Sequence, residues 1–478
     1  MNIPNYYLRR TKIICTLGPG STQPAVLTQL IKAGMDIARL NFSHGTLEQH
    51  ARYINDTREL GRKAGRRIGI LIDLPGPKYR IGRLEGGSTQ LKKGEYVYLT
   101  TEDITGRDGL LPVNLPYLLQ DIKHGDTVLL DDGAMILKVT DIEGSRVKCR
   151  VTYGGTLLQE KGLVVPGMKV SAPFMTDDLK KDILFAMQQK PDYIALSFVT
   201  GAADIKGVRD FIRSYGANIP IISKIECGEA VNNFKNILEA SDGIMIARGD
   251  MGVELPLEKV PMVQKDLIKR CNRAGKPVIT ATEMLESMIQ NPRPTRAEAT
   301  DVANAIFDGT DAIMLSAETS IGKYPVQSVK TMSNIAREAE KKLPYEVWLA
   351  ERRTWLEPVT DELISYSACQ TAHSLHAPAI AAFTHSGSTA IRISRYRPAM
   401  PVVALTPYDD VAGKLLLYWG VRPHIVVNPK TVDDSFAMAA NLTRELGIAK
   451  SGDLIIIAAG IPIGQAGATN MLKVERVK

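Results

Sequence analysis

Lys224 and Glu226 stand two residues apart at the end of the apolar run Ile219–Glu226, and Asp250 closes the segment Ala247-Arg248-Gly249-Asp250. Two carboxylates on neighbouring strands suit Mg²⁺, which takes few protein oxygens and keeps its waters. Lys224 beside such an ion would stabilise an enolate or another oxyanion. A buried ion-pair network with Lys224 and Arg248 fits the same spacing. Arg39, Asn41 and Ser43 share one strand parity and so project to one side, with His44 following in the loop. Arg39 and Arg80 offer planar forks for phosphate, although a structural salt bridge suits each as well. Asp73, the pair Thr282-Glu283, and Ser316 with Glu318 end three further runs. A charge delivered to so many run ends must be paired or hold a ligand, because burying it alone is costly.

The elements that must place these groups are short apolar runs, each followed by a helical stretch. They are Lys12–Leu17, Met35–Asn41, Ile68–Asp73, Asp192–Ser197, Ile219–Glu226, Gly243–Ala247, Pro277–Thr282 and Ala312–Ser316. Continuous apolar strands alternating with helices predict a buried parallel sheet. Eight such units predict a closed (β/α)8 TIM barrel, the α/β class whose chemistry sits at the C-terminal strand ends. A doubly wound open sheet is the rival arrangement.

About 120 residues separate the third run from the fourth, too many for a simple connection. The inserted stretch, 75–171, carries short β patterns and turn signals such as HGDTVLLDDG, and reads as a small β-barrel lid domain. The barrel is expected over 1–74 and 172–344, with a helix from Pro325 to about Lys342 following its last strand. A separate C-terminal α/β domain is expected over 345–478, with strands at Ala379–Phe383, Pro401–Ala404, His424–Val427 and Leu454–Ala458. Thr295 and Glu298 form a capping-box pattern at a helix start.

Composition narrows the function classes. The chain has 478 residues and a net charge of +7, with basic residues spread out rather than striped, which suits anionic metabolites and argues against nucleic acid. The five cysteines form no CxxC pair, as in a reducing cytoplasm. There is no secretory signal pattern and no apolar run of membrane-spanning length, so no membrane partner is expected.

The strings TKIICTLGPGS, ARLNFSHG, SKIE, ARGDMGVELP, PVITATEMLESMIQNPRPTRAEATDVANAIFDGTDAIMLSAET and GKYP resemble the pyruvate kinase family, in order and over essentially the whole chain. The resemblance implies phosphoryl transfer from phosphoenolpyruvate to ADP, giving pyruvate and ATP with Mg²⁺ or Mn²⁺. It assigns Arg39 to the transferring phosphoryl, Glu226 and Asp250 to the metal, and Lys224 to the transition state and enolate. It places Ala247, Arg248, Gly249, Asp250 and Thr282 around the substrate carboxylate, and Thr282 and Ser316 on the proton path. Asn41, His44, Arg80 and Lys161 would face the nucleotide phosphates. It also implies a homotetramer in the cytoplasm.

One segment departs from the family pattern. Potassium-dependent members read DTKGPEIR where this chain reads Asp73-Leu-Pro-Gly-Pro-Lys78-Tyr-Arg80. Asn41, Ser43, Asp73 and the carbonyl of Leu74 would be the equivalents of the K⁺ cage. An ammonium from Lys78 would replace that ion, so K⁺ is not expected to be required. Glu283, where many members carry Gln, is a second departure. In the last domain, Thr384-His385-Ser386-Gly387-Ser388-Thr389 follows a strand and opens a helix, a cradle for a phosphorylated allosteric effector. The late segment GIPIGQAGATN would close over it. A barrel aldolase or mutase acting on related acids, a catalytically silent metabolite sensor and a nucleic-acid binder are the other function classes. The lid and last domain disfavour the first, the intact charged set disfavours the second, and the absence of a basic stripe disfavours the third.

Overall fold

Each predicted run becomes a strand because its side chains can be buried on both faces of a sheet. In the computed structural model, which describes residues 9–462 and 469–478, the strands are β1 (Lys12–Thr16), β2 (Ile37–Asn41), β3 (Gly69–Leu74), β4 (Tyr193–Leu196), β5 (Ile221–Ile225), β6 (Gly243–Ala247), β7 (Val278–Ala281) and β8 (Ala312–Leu315). All pair in parallel and close into one barrel, β1 meeting both β2 and β8. Closure rules out the open doubly wound sheet.

Strand parity sorts the side chains. Ile14, Ile37, Leu71, Tyr193, Ala195, Ile222, Met245, Ile279 and Met314 form the apolar barrel interior. Residues of opposite parity, such as Ile13, Ala38, Ile70 and Ile221, pack outward under the helices. Two residues beyond the interior set, the same faces carry Thr16, Arg39, Asp73, Ser197, Lys224 and Ser316. One alternation therefore fills the barrel at its base and charges it at its C-terminal mouth.

Between β3 and β4 the chain builds a six-stranded sheet and a two-stranded pair around a single apolar cluster, the form taken by the expected β lid. The entry to it is tight. A Cβ at Gly76 would lie 2.2 Å from the Ser197 carbonyl oxygen, so only glycine lets the chain pass so close to the end of β4.

The last domain carries β9 (Ile380–Phe383), β10 (Val402–Thr406), β11 (Val421–Ile425), β12 (Leu454–Ala459) and β13 (Met471–Arg476), in the order β11-β10-β9-β12-β13. β11 starts three residues before the expected His424, because Val421 pairs with Val402 and an edge strand tolerates Pro423. β13 went unread in the sequence. It is an antiparallel edge strand in which Lys473, Glu475 and Arg476 break up a short apolar stretch and no residue is fully buried. Most of the expected effector-covering segment, 463–468, lies outside the described residues.

This domain plugs the base of the barrel. Leu417 joins the interior cluster, and the Tyr193 hydroxyl donates to the Lys414 carbonyl and accepts from the Leu417 N–H. Asp36, ahead of β2, is the anchor. It is fully buried and pairs with Arg9, with Arg66 at 3.1 Å and with Arg422 of β11 at 3.0 Å. Burial would push its carboxyl up, but Arg9 and Arg422 outweigh that and hold it well below the usual carboxylate range.

A group whose folded pKa is depressed stabilises the fold above its unfolded value, about 3.9, and loses that contribution as pH falls below it. Asp36→Asn removes the buried carboxylate that Arg9, Arg66 and Arg422 share, so a loss of about 3–5 kcal/mol is expected at neutral pH. The variant should also show a shallower decline in stability below about pH 4. Denaturation followed across pH 2–7, on the order of one unit per step, checks both outcomes.

Candidate active site

At the barrel mouth, four charged side chains from the ends of β2, β3 and β5 neutralise one another. Arg39 of β2 donates from Nε to Asp73 Oδ2 at 2.8 Å, with its Nη2 at 2.6 Å from the same oxygen, and from Nη1 to Thr16 Oγ1 at 2.9 Å. Lys224 of β5 places Nζ 3.3 Å from Asp73 Oδ1 and 2.9 Å from Glu226 Oε1, and donates to Ser197 Oγ at 2.8 Å. Ser197 in turn donates to Asp73 Oδ1 at 3.3 Å.

The titration directions follow from this set. Burial would lower the Lys224 ammonium, but Asp73 and Glu226 hold it above the ordinary lysine value. Burial would raise Asp73, but Lys224 and Arg39 hold it below the ordinary value. Glu226 is pushed up, by burial first and then by Asp250, against the pull of Lys224.

Glu226 has one oxygen spoken for and one in reserve. Oε2 accepts the Phe198 N–H at 2.6 Å. Oε1 is buried, with the Lys224 ammonium at 2.9 Å as its one neighbouring charge and no further hydrogen-bond partner. Asp250, partly exposed, accepts Lys78 Nζ on Oδ1 at 2.6 Å. Two oxygen donors, one of them buried and unsatisfied, fit a hard divalent cation completed by water and substrate oxygens.

The seventh strand ends in a strained turn. Thr282 and Glu283 take left-handed φ angles of 65° and 55°, uncommon for residues with a Cβ. Arg248 holds them there. Its Nη2 donates to the Thr282 carbonyl at 2.7 Å and the Glu283 carbonyl at 3.3 Å, while Nη1 forks onto Asp301 at 2.8 and 2.6 Å. The alternative reading of Arg248 as a partner of the strand-end acids is thus replaced by a pair with Asp301 on the helix Arg296–Phe307. That helix opens with the expected Thr295–Glu298 capping box. The Gly249 N–H donates to Thr282 Oγ1 at 2.8 Å, and Thr282 Oγ1 donates to the Ala281 carbonyl at 2.6 Å. The Gly249 and Asp250 N–H groups lie in the first turn of the helix Arg248–Glu254, where no intrahelical acceptor exists. Ser316 Oγ, at the end of β8, is buried without a partner, while the Ser316 N–H donates to the buried Glu318 at 2.7 Å.

The other expected residues sit farther out. Arg80 Nη1 donates to the Glu160 carbonyl at 3.0 Å, and Lys161 pairs with Asp131 at 2.8 Å, both within the lid. Asn41 Oδ1 accepts the Ser43 N–H at 3.3 Å, and Ser43 and His44 are exposed. The Leu74 carbonyl accepts the Ser197 N–H at 3.3 Å. Lys78 lies 5.0 Å from the Phe198 ring centre, beneath Gly162 of the lid, and its ion pair is with Asp250. In the last domain Thr384 Oγ1 accepts the Gly387 N–H at 2.9 Å, Ser386 and Ser388 share a bond of 3.1 Å, and Thr389 bonds Thr469 at 2.7 Å. Ser197 and Asp301 were absent from the sequence reading. Ser197 had a signal, since it ends the fourth apolar run with the parity of the interior residues; Asp301, inside a helix, had none.

The family model for the barrel domain of pyruvate kinase matches residues 8–329, and that for its alpha/beta domain matches 362–475. A pyruvate kinase of Staphylococcus haemolyticus is 47% identical over 98% of this chain and 81% of that protein. One of Geobacillus stearothermophilus is 45% identical over 98% of this chain and 80% of its own. The fold is shared with a crystal structure of a pyruvate kinase from Cryptosporidium parvum, with a TM-score of 0.93 and 38% identity, over 99% of this chain and 97% of the other.

Asp301→Ala removes the carboxylate that aims Arg248. Because Asp301 is partly exposed, the stability cost is expected to stay near 1 kcal/mol. Backbone amides at 282–285 should nevertheless exchange with deuterium at least tenfold faster. Unchanged protection there would refute the clamp.

Proposed function

The chain belongs to the pyruvate kinase family, and from that premise we propose how its own residues divide the reaction. It is a phosphotransferase of glycolysis that converts phosphoenolpyruvate to pyruvate. The phosphoryl group leaves the enol oxygen for ADP, and the enolate left behind takes a proton on carbon to become pyruvate. The catalytic demand is electrostatic, because charge moves between oxygens while little covalent chemistry falls to the protein.

The observation that carries the assignment is Lys224, 2.9 Å from Glu226 and 2.8 Å from Ser197 at the barrel mouth. Its ammonium, kept protonated by Asp73 and Glu226, faces the oxygen on which charge grows as the phosphoryl departs. Arg39 contacts the phosphoryl itself, aimed by Asp73. Thr282 and the Ala247–Asp250 backbone, with Arg248 bracing the turn, orient the carboxylate of the substrate. Ser316 Oγ and Thr282 Oγ1 lie on the route of the proton to carbon. The family generally uses Mg²⁺. Glu226 Oε1 and Asp250 would hold it (or Mn²⁺), and once bound it supplies Lewis-acid stabilisation of phosphoryl and enolate oxygens. Asn41, His44, Arg80 and Lys161 line the approach of the nucleotide phosphates between barrel and lid.

Lys78 supplies the positive charge that K⁺ provides in other members, so the enzyme turns over without K⁺. The segment Thr384–Thr389, with two hydroxyls bonded to each other and a helix N-terminus behind them, receives a phosphorylated allosteric effector. The active form is a homotetramer in the cytoplasm, built from a barrel over 1–74 and 172–344, a lid over 75–171 and a regulatory domain over 345–478.

Lys224→Met is expected to lower kcat about 10³-fold or more, as loss of a donor aimed at developing charge does, while Mn²⁺ still binds by electron paramagnetic resonance. Glu226→Gln should instead lose Mn²⁺ binding. If Lys224→Met retains a tenth of the activity, the assignment fails. Replacing K⁺ by a large organic cation should leave turnover within about twofold, and Lys78→Glu should create a K⁺ requirement, since the positive charge it removes must be restored. A tenfold loss of wild-type activity without K⁺ would overturn this part.

A further inference from the structure

The inserted domain carries an outer sheet face that the strand-end site does not use. Its strands Tyr96–Thr100, Arg146–Tyr153 and Met135–Glu143 lie side by side, antiparallel. Alternation sends Val97, Leu99, Val147, Cys149, Leu137 and Val139 into the apolar cluster of this domain. The residues between them face outward: Tyr96, Tyr98, Arg146, Lys148, Arg150 and Lys138. Along the chain each of these cations stands alone between apolar neighbours, so the sequence shows no basic stripe. The register builds one across strands. Arg150 sits opposite Tyr96 on one side and Lys138 on the other, and Lys148 sits opposite Tyr98.

Two like charges directly opposite each other weaken a sheet. An anion shared between Lys138 and Arg150 removes that cost, and no side chain supplies one. The acids nearby are committed. Glu143 lies 3.1 Å from Lys148, and Asp141 accepts the Ile142 N–H at 2.8 Å. Asp126 accepts the Lys123 N–H at 2.7 Å, and Glu95 lies 3.9 Å from Lys92. Lys138, Arg146 and Arg150 are exposed and form no ion pair among the described residues. Aromatic rings stand among them. Lys148 Nζ lies 5.5 and 5.8 Å from the ring centres of Tyr96 and Tyr98, and Tyr96 is 53% exposed. Open rings beside unpaired cations suit a nucleobase and its phosphates.

We propose that this face binds single-stranded RNA. Alternate residues of a strand stand about 6.6 Å apart, so Arg146, Lys148 and Arg150 meet successive phosphates of an extended chain, with Lys138 beside Arg150. A base stacks on Tyr96. A duplex buries its base faces and cannot make that contact. The Thr140 and Thr152 hydroxyls, on the same face, donate to the Lys148 and Ile136 carbonyls at 3.2 and 2.9 Å. Each therefore keeps lone pairs that accept from a 2′-hydroxyl, the group that separates RNA from DNA.

The test is fluorescence anisotropy on the full chain with a labelled oligouridylate of about 12 nucleotides. Binding is expected at low salt, with log affinity falling against log salt at a slope of about −2, as about three phosphate contacts give. The double variant Lys138→Ala/Arg150→Ala should weaken it about tenfold or more, and Tyr96→Leu about fivefold or more through lost stacking. Turnover of both variants should equal that of the wild type, which shows that they fold. Oligodeoxythymidylate and an RNA duplex of equal length should bind more weakly, and polyglutamate should not displace the RNA. No binding at low salt, or unchanged binding in the double variant, overturns the proposal. Equal binding of the deoxy strand or the duplex overturns it too, and displacement by polyglutamate would assign the face to an acidic protein instead.

Discussion

Two cations and two anions buried at the ends of β2, β3 and β5 are the constraint on which the site depends. None of Arg39, Asp73, Lys224 and Glu226 is tolerable there alone, because an unpaired buried charge costs several kcal/mol. Together they cancel, and Ser197 supplies the remaining hydrogen bond to Lys224. The cancellation is incomplete in a useful way. Arg39 and Lys224 face the mouth with donors to spare, while Glu226 Oε1 lacks a hydrogen-bond partner. Positive charge and a buried carboxylate oxygen are therefore held in place before substrate arrives, which is what transfer of a highly charged group requires.

The barrel separates this function from stability along its axis. At the N-terminal end Asp36 ties Arg9, Arg66 and Arg422 into one buried knot that joins the last domain to the barrel base. At the C-terminal end the charges gather at the barrel mouth, and the backbone accepts strain at Thr282, Glu283 and Phe198, all with positive φ. The same strand carries both demands: in β2 the interior face reads Ile37 and then Arg39, apolar at the base and cationic at the mouth. The inserted domain begins where Gly76 slips past Ser197, which brings Lys78 onto Asp250 and ties that domain to the barrel mouth.

Much of this was legible in the sequence, for physical reasons. Strands buried on both faces must be continuous apolar runs, so all eight barrel strands stood out, and polar residues ending such runs marked the mouth. The long interval after β3 required an inserted domain. Less legible were features set by tertiary contact. β13 is a half-exposed edge with weak alternation, and β11 carries a proline that reads as a break until its edge position is known. The partner of Arg248 is Asp301, far along the chain on a helix, and no local pattern links the two. Lys78 was singled out by its departure from the family segment, but its pairing with Asp250 depends on the path of the lid.

The central claim is that the charged mouth acts as one electrostatic unit centred on Lys224. A double-mutant cycle on Asp73→Asn and Ser197→Ala, read as kcat/KM for phosphoenolpyruvate, tests it most directly. Both side chains touch Lys224 and each other, so the two losses should be coupled by about 1 kcal/mol or more. Losses that add to within about 0.3 kcal/mol would mean that the two residues act independently, and would contradict the account.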